Sequence, residues 1–224
     1  MRGLPYRRGY LLHGIPGSGK SSLVLAVATE LSLPVYLLNL SPKLSDEALV
    51  QLLEEIKERC VLLIEDIDRA NTVTHADQPP AQKNDHRDVM NSPVCSELTL
   101  AGLLNEIDGP TASTGRLFFM TTNHREKLDK ALIRKGRIDY ELQFNHVSKE
   151  QIRRLVLKFY DGAMQSVPCA EEIACLITNS MAAEESKQWS PADVYGHLMH
   201  HKTSPIMALQ ALRRELGHGP MSKL

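Results

Sequence analysis

The stretch Gly14–Ser21, "GIPGSGKS", satisfies every fixed position of the pattern GxxxxGK[ST]. Residues of these types in this order do one kind of chemistry well. Glycines let the backbone curl so that successive N–H groups face the oxygens of a phosphate chain, and the positive end of a helix that follows adds to the attraction. Lys20 would reach the β- and γ-phosphates of a nucleotide such as ATP, and the Ser21 hydroxyl would sit on a Mg²⁺ ion. Gly14, Ile15, Pro16, Gly17, Ser18, Gly19 and Ser22 complete the expected cradle. A glycine-rich turn with a solvated lysine is the plainer reading. The setting weighs against it: the apolar run "RGYLLHG" precedes the loop and the helix-like "KSSLVLAVATEL" follows, as a phosphate loop requires.

A second constellation lies at "VLLIEDID", where four apolar residues run into Glu65, Asp66 and Asp68. Hydrolysis of a bound triphosphate needs a carboxylate on the Mg²⁺ side at the end of a neighbouring strand, usually followed by one that orients the attacking water. The common order is Asp then Glu; here Glu65 takes the metal-side position and Asp66 the water side. Successive strand side chains face opposite ways, so the two acids exchange jobs only if the backbone changes near the strand end. Asp68 reads as a helix or loop cap. Asn123 ends the apolar run "RLFFMTT" and is placed to sense the γ-phosphate or its water, and Arg134 and Arg137 flank Gly136 in "LDKALIRKGRID". A guanidinium stabilises the charge that builds up in phosphoryl transfer.

The elements that must position these residues alternate along the chain. Strands are expected at 8–14, 34–40, about 60–66, 116–122 and near "DYELQF". Between them lie helices at "KSSLVLAVATEL", at "SDEALVQLLEEIKER" with Ser45 as N-cap, at "LTLAGLLNEIDG", and a short one around "KLDKALIR". The strands lack in-out alternation, which implies an α/β fold with a parallel sheet covered on both faces. The Asn-, Gln-, His- and Pro-rich segment 69–97, as in "THADQPPAQKNDHRD", reads as a polar insertion in an α/β domain spanning 1–147. Residues 148–224 read as a helical lid, with Ser190 as an N-cap, Pro191 at N1 and Asp193 at N3.

Bulk composition narrows the partners. The 224 residues carry a formal net charge of -1, which offers no electrostatic footprint for nucleic acid. Cys60, Cys95, Cys169 and Cys175 form no CxxC pair, so neither a disulfide framework nor a zinc site is indicated. His197, His200 and His201 share an expected helix but lack the further ligands of a metal site. No apolar run approaches a membrane span and the N-terminus lacks a signal-peptide core, so the chain as given reads as soluble. It begins a few residues before its first expected strand, as a fragment of a longer protein would.

The phosphate loop, the acidic strand end, Asn123 and the paired arginines together resemble the AAA ATPase family. "RGLPYRRGYLLHGIPGSGKSS", the transposed "LLIEDID", "LTLAGLLNEIDG", "FFMTTNH", "LDKALIRKGRID" and "SPADVYGHLMHHKTSPIMAL" are similar to its mitochondrial branch, which moves a folded Rieske iron-sulfur protein into respiratory complex III. The resemblance implies a P-loop fold of three layers with about five parallel strands, a helical lid, a homo-oligomeric ring, and arginines lent to the neighbouring subunit's ATP. It also implies a protein substrate, and a place at the matrix side of the mitochondrial inner membrane. Family members carry a membrane span and a further domain ahead of this module. Ile15, Lys130 and Lys135 stand where the family usually has prolines, and none of these departures removes a catalytic group. "NLSPKLSD" lacks the aromatic-hydrophobic-glycine tripeptide with which unfolding motors of the family grip a peptide, in keeping with a folded cargo. Two other readings share the same residues: a small-molecule kinase, and a module that binds ATP without hydrolysing it.

Overall fold

The computed structural model describes residues 8–40, 44–56, 59–69, 99, 102, 103, 105, 107, 115–160, 166–182 and 188–217. Nearly all of the polar segment 69–97, and much of the helix expected at 98–109, lie outside them. The apolar runs become β1 (Arg8–Gly14), β2 (Val35–Leu38), β3 (Cys60–Ile64), β4 (Arg116–Thr122) and β5 (Tyr140–Phe144). They form one five-stranded sheet in the order β2-β3-β4-β1-β5. The pairs β2/β3, β3/β4 and β4/β1 are parallel, as expected for a P-loop α/β fold. β3 is buried along its whole length. Leu62 and Ile64 pack in one core with Leu49 and Leu53 of α2 (Asp46–Glu55), while the intervening Val61 and Leu63, which face the other way, are equally buried. Helix α1 (Lys20–Glu30) packs against β3 and β4.

Local chemistry sets the element ends. The Ser45 hydroxyl accepts from the Ala48 N–H and starts α2. At the other end of α2, the buried Arg116 donates Nη2 to the carbonyls of Leu53 (2.7 Å) and Ile56 (3.0 Å), satisfying groups that a helix leaves orphaned. The short helix expected around "KLDKALIR" is replaced by a 3₁₀ turn at Arg125–Lys127 and a series of turns. Asp129 causes this: its Oδ1 takes the Ala131 N–H at 2.7 Å and its carbonyl takes the Leu132 N–H, which closes tight turns in place of an α-helical ladder.

Contacts divide the chain into two compact units, one of Met1–Gly14 and Lys20–Gln143, the other of Ile15–Gly19 and Phe144–Leu224. The second unit contains α3 (Lys149–Phe159), α4 (Ser166–Met181), α5 (Pro191–His200) and α6 (Pro205–Glu215) around a core that includes Ile152, Val156, Ile173, Trp189, Leu198 and Leu212. Helix α3 starts on a Ser148/Gln151 capping box and α5 on a Ser190/Asp193 box with Pro191 in its first turn. Among the described residues no helix is long and apolar enough to cross a membrane.

Candidate nucleotide-binding site

Parallel pairing aligns the carboxyl ends of β1, β3 and β4: His13 lies opposite Thr122, and Ile64 opposite Met120. In open α/β sheets ligands bind outside these ends. The chain leaves β1 at Gly14 and enters α1 at Lys20, whose first turn carries no acidic residue to compensate the helix's positive end. Gly17 and Gly19 have φ values of 70° and 98°, in the left-handed region that favours glycine. Gly17 is also crowded, since a Cβ there would lie 2.9 Å from Ser190 Oγ and from Ala192 Cβ. Within the second unit hydrogen bonds tie the loop residues down. The Ile15 N–H donates to the Phe144 carbonyl, the Ala192 N–H to the Gly17 carbonyl, and Ser18 Oγ to the Ile15 carbonyl.

Within the first unit the loop's lysine meets the polar end of β4. Lys20 is 8% exposed, and its ammonium donates to the Gly14 carbonyl at 3.0 Å and to Asn123 Oδ1 at 2.7 Å. Burial pulls its pKa below the ordinary lysine range, against the opposing charges of Asp66 and Asp68. Two carboxylates therefore act on the charge that would hold a γ-phosphate.

Ser21 Oγ donates to Glu65 Oε1, which joins the first turn of α1 to the end of β3. A hydroxyl and a carboxylate oxygen side by side are the hard donors that Mg²⁺ prefers. Glu65 is thus the acid of the pair that meets the loop's serine. β3 ends at Ile64, and Asp66 has φ 47°, a left-handed conformation held by a hydrogen bond from its N–H to Thr121 Oγ1. The strict alternation of strand side chains does not extend to this residue. The backbone thus changes direction at the strand end, between the two acids and Asp68.

The structure gives Asp68 more than a cap's role. Its Oδ1 accepts from Thr122 Oγ1 at 2.6 Å and from the Asn123 N–H at 3.3 Å, joining the turn after β3 to the end of β4. Burial alone would raise this carboxyl, but the hydrogen bonds from Thr122 and the backbone outweigh it and hold the pKa below the usual carboxylate range. A local sequence reading has little access to such a contact, whose partners are 54 positions apart.

The arginines are not gathered with this group. The Arg137 carbonyl presses on the start of β1, where a Cβ at Gly9 would come within 1.7 Å of it. The Asp139 N–H donates to the Gly9 carbonyl at 2.8 Å, and the Gly9 N–H to Asp139 Oδ2 at 2.9 Å. Gly9 and Gly14 stand five residues apart in an extended strand, a separation of about 16 Å. Arg137 Nη1 donates to the Ala131 carbonyl at 2.7 Å, and Arg134 is exposed. In the helical unit the nearly buried His197 bonds through Nε2 with the Ala208 carbonyl at 2.8 Å, a packing arrangement.

Residues 10–146 match the model of the ATPase family associated with various cellular activities (AAA). The chain is 40% identical over 227 residues to a Dictyostelium discoideum protein named probable mitochondrial chaperone BCS1-B, covering 94% of this chain and 47% of that protein. It is 39% identical to the Bos taurus mitochondrial chaperone BCS1 and 38% identical to the Homo sapiens one, in both cases over 95% of this chain and 48% of theirs. The chain therefore spans about half the length of these relatives. A chain of the solved E. coli MS115-1 HORMA:CdnC:Trip13 complex shares the fold, with a TM-score of 0.63 and 18% identity over 97% of this chain and 75% of that one.

Proposed function

The chain belongs to the AAA ATPase family, and on that premise we propose that it is the Mg²⁺-dependent, ATP-hydrolysing module of a mitochondrial chaperone that works as a homo-oligomeric ring on a folded protein. The observation that carries this reading is the meeting of Ser21 with Glu65, and of Lys20 with Asn123, at the aligned ends of the sheet. The glycine-shaped loop binds the phosphate chain through its backbone, and Lys20 supplies the positive charge on the β- and γ-phosphates. Ser21 and Glu65 would hold Mg²⁺, which would neutralise charge on the phosphates. Asp66 orients the water that attacks the γ-phosphorus, and bond cleavage gives ADP and phosphate. Asn123 lies beside Lys20, where its amide can bond to the γ-phosphate or that water.

Arg134 and Arg137 act on the nucleotide of the adjoining subunit. Their segment packs at the opposite end of β1 from the loop, which favours action in trans over action on the same chain's ATP. The resemblance to proteins named mitochondrial chaperone BCS1 supports a mitochondrial setting and a protein cargo; a place at the matrix face of the inner membrane and a folded iron-sulfur protein as that cargo are the finer part of this proposal, resting on the motifs the sequence shares with that branch of the family.

Subunit mixing tests this reading. Phosphate release is measured for Arg134→Ala and Asp66→Asn separately and combined, with oligomer size followed by light scattering. Each variant alone should be nearly inactive and the mixture should recover activity, because an intact Arg134 then serves an intact Asp66 next door. Full hydrolysis by a monomer would refute the arrangement.

A further inference from the structure

Asn123 is bracketed. Its own N–H donates to Asp68 Oδ1 at 3.3 Å. The preceding residue, Thr122, is fully buried and donates its hydroxyl to the same oxygen at 2.6 Å, while that hydroxyl accepts the His124 N–H at 2.9 Å. Three consecutive residues at the end of β4 therefore answer to one carboxylate, directly or through Thr122 Oγ1. Of the three, Asn123 reaches Lys20 with its amide, Oδ1 standing 2.7 Å from Nζ.

We propose that Asp68 is a positioning residue for hydrolysis: its carboxylate, through Thr122 and the Asn123 backbone, fixes the direction of the Asn123 amide. The inference rests on the hydrolysis reading above. Beyond the pull of its charge on Lys20, the hydrogen bonds of Asp68 run to Thr122 and the Asn123 backbone, so it restricts where β4 delivers its asparagine. The Thr122 hydroxyl ahead of the asparagine supplies the link, and the acid two residues after Asp66 supplies the anchor. A carboxylate anchor is stronger than a neutral one, because charge-assisted hydrogen bonds are shorter and roughly twice as strong.

A kinetic cycle tests it with Asp68→Asn, Asn123→Ala and the double variant, under conditions in which the unsubstituted chain releases phosphate. Asp68→Asn should lower kcat about 10-fold, the scale of losing an outer hydrogen-bond partner, with the KM for ATP changed less than about twofold. The double variant should be no slower than Asn123→Ala alone, since an anchor with nothing to aim has no further effect. Multiplying losses would overturn the proposal, as would a loss confined to KM or unaltered turnover in Asp68→Asn. If Asp68→Asn does not fold, Thr122→Val replaces it in the same cycle with the same expected and contrary results. Failure of the unsubstituted chain to hydrolyse ATP at any concentration is a different outcome, which overturns the ATPase reading and this proposal together.

Discussion

Lys20 Nζ lies 2.7 Å from Asn123 Oδ1, so the residue that closes the loop and the residue that follows β4 meet across 103 positions of sequence. A γ-phosphate arriving at Lys20 must share or displace that contact. Asn123→Ala is expected to leave ATP affinity within a few-fold of the unsubstituted chain and to reduce kcat about 10²-fold, the scale of one lost transition-state donor. Nucleotide titration alongside steady-state phosphate release checks both halves; equal losses in affinity and turnover would assign Asn123 to ground-state binding instead.

Glu65 and Asp66 should separate in the same way. Glu65 is hydrogen-bonded to Ser21, whereas Asp66 leaves the strand in a left-handed turn. Glu65→Gln should raise the Mg²⁺ concentration needed for half-maximal hydrolysis. Asp66→Asn should bind Mg²⁺ and ATP normally but lose about 10²-fold or more in turnover, the range for a positioned general base. A magnesium titration of both variants reads this out, and the reverse pattern would mean that the acids keep the common order of roles.

Gly9 matters for shape alone. With the Arg137 carbonyl 1.7 Å from where a Cβ would stand, Gly9→Ala must push the arginine segment away from β1. Overpacking of this kind costs roughly 1–3 kcal/mol, visible as a fall of several degrees in Tm. Trans-activation by Arg134 should weaken with it, while ATP binding by the same subunit persists. An unchanged Tm would contradict the packing described.

His13 gives the fold a pH signature. Burial holds its pKa below the ordinary histidine value, helped by the charges of Arg125 and Lys20 and opposed by Glu141. The folded state then binds fewer protons than the unfolded state at pH values just below about 6.5, so stability is full above that pH and declines as pH falls towards the folded pKa. Thermal unfolding from pH 7.5 to 5.5 should show a steeper loss of Tm for the unsubstituted chain than for His13→Gln. Parallel slopes would exclude the contribution.

Much of this was legible before any coordinates. Short apolar runs rich in β-branched and aromatic residues, such as "CVLLI" and "RLFFMTT", read as buried strands between helices, and GxxxxGK[ST] needs a strand before it and a helix after it, which is how Gly14 and Lys20 are placed. Ser45 and Ser190 announced their helices because capping is local chemistry. The acid order signalled a backbone problem, but its solution, a left-handed Asp66 tied to Thr121, depends on a neighbouring strand. Asp129 misled the helix expectation because a side chain that competes for backbone N–H groups leaves helix-like periodicity intact. The tie from Asp68 to β4 is illegible for a related reason: its partners are some 54 positions away, and nothing within a few residues of it points there.

The central claim is that Lys20 and Ser21, backed by Asn123 and Glu65, hold a nucleotide triphosphate with Mg²⁺, and isothermal calorimetry tests it most directly. Titrating MgATP into the unsubstituted chain should give a saturable heat near one nucleotide per subunit, and the same titration of Lys20→Ala, with folding verified by circular dichroism, should give none. Heat that survives in Lys20→Ala, or a folded unsubstituted chain that takes up no nucleotide, would contradict the account.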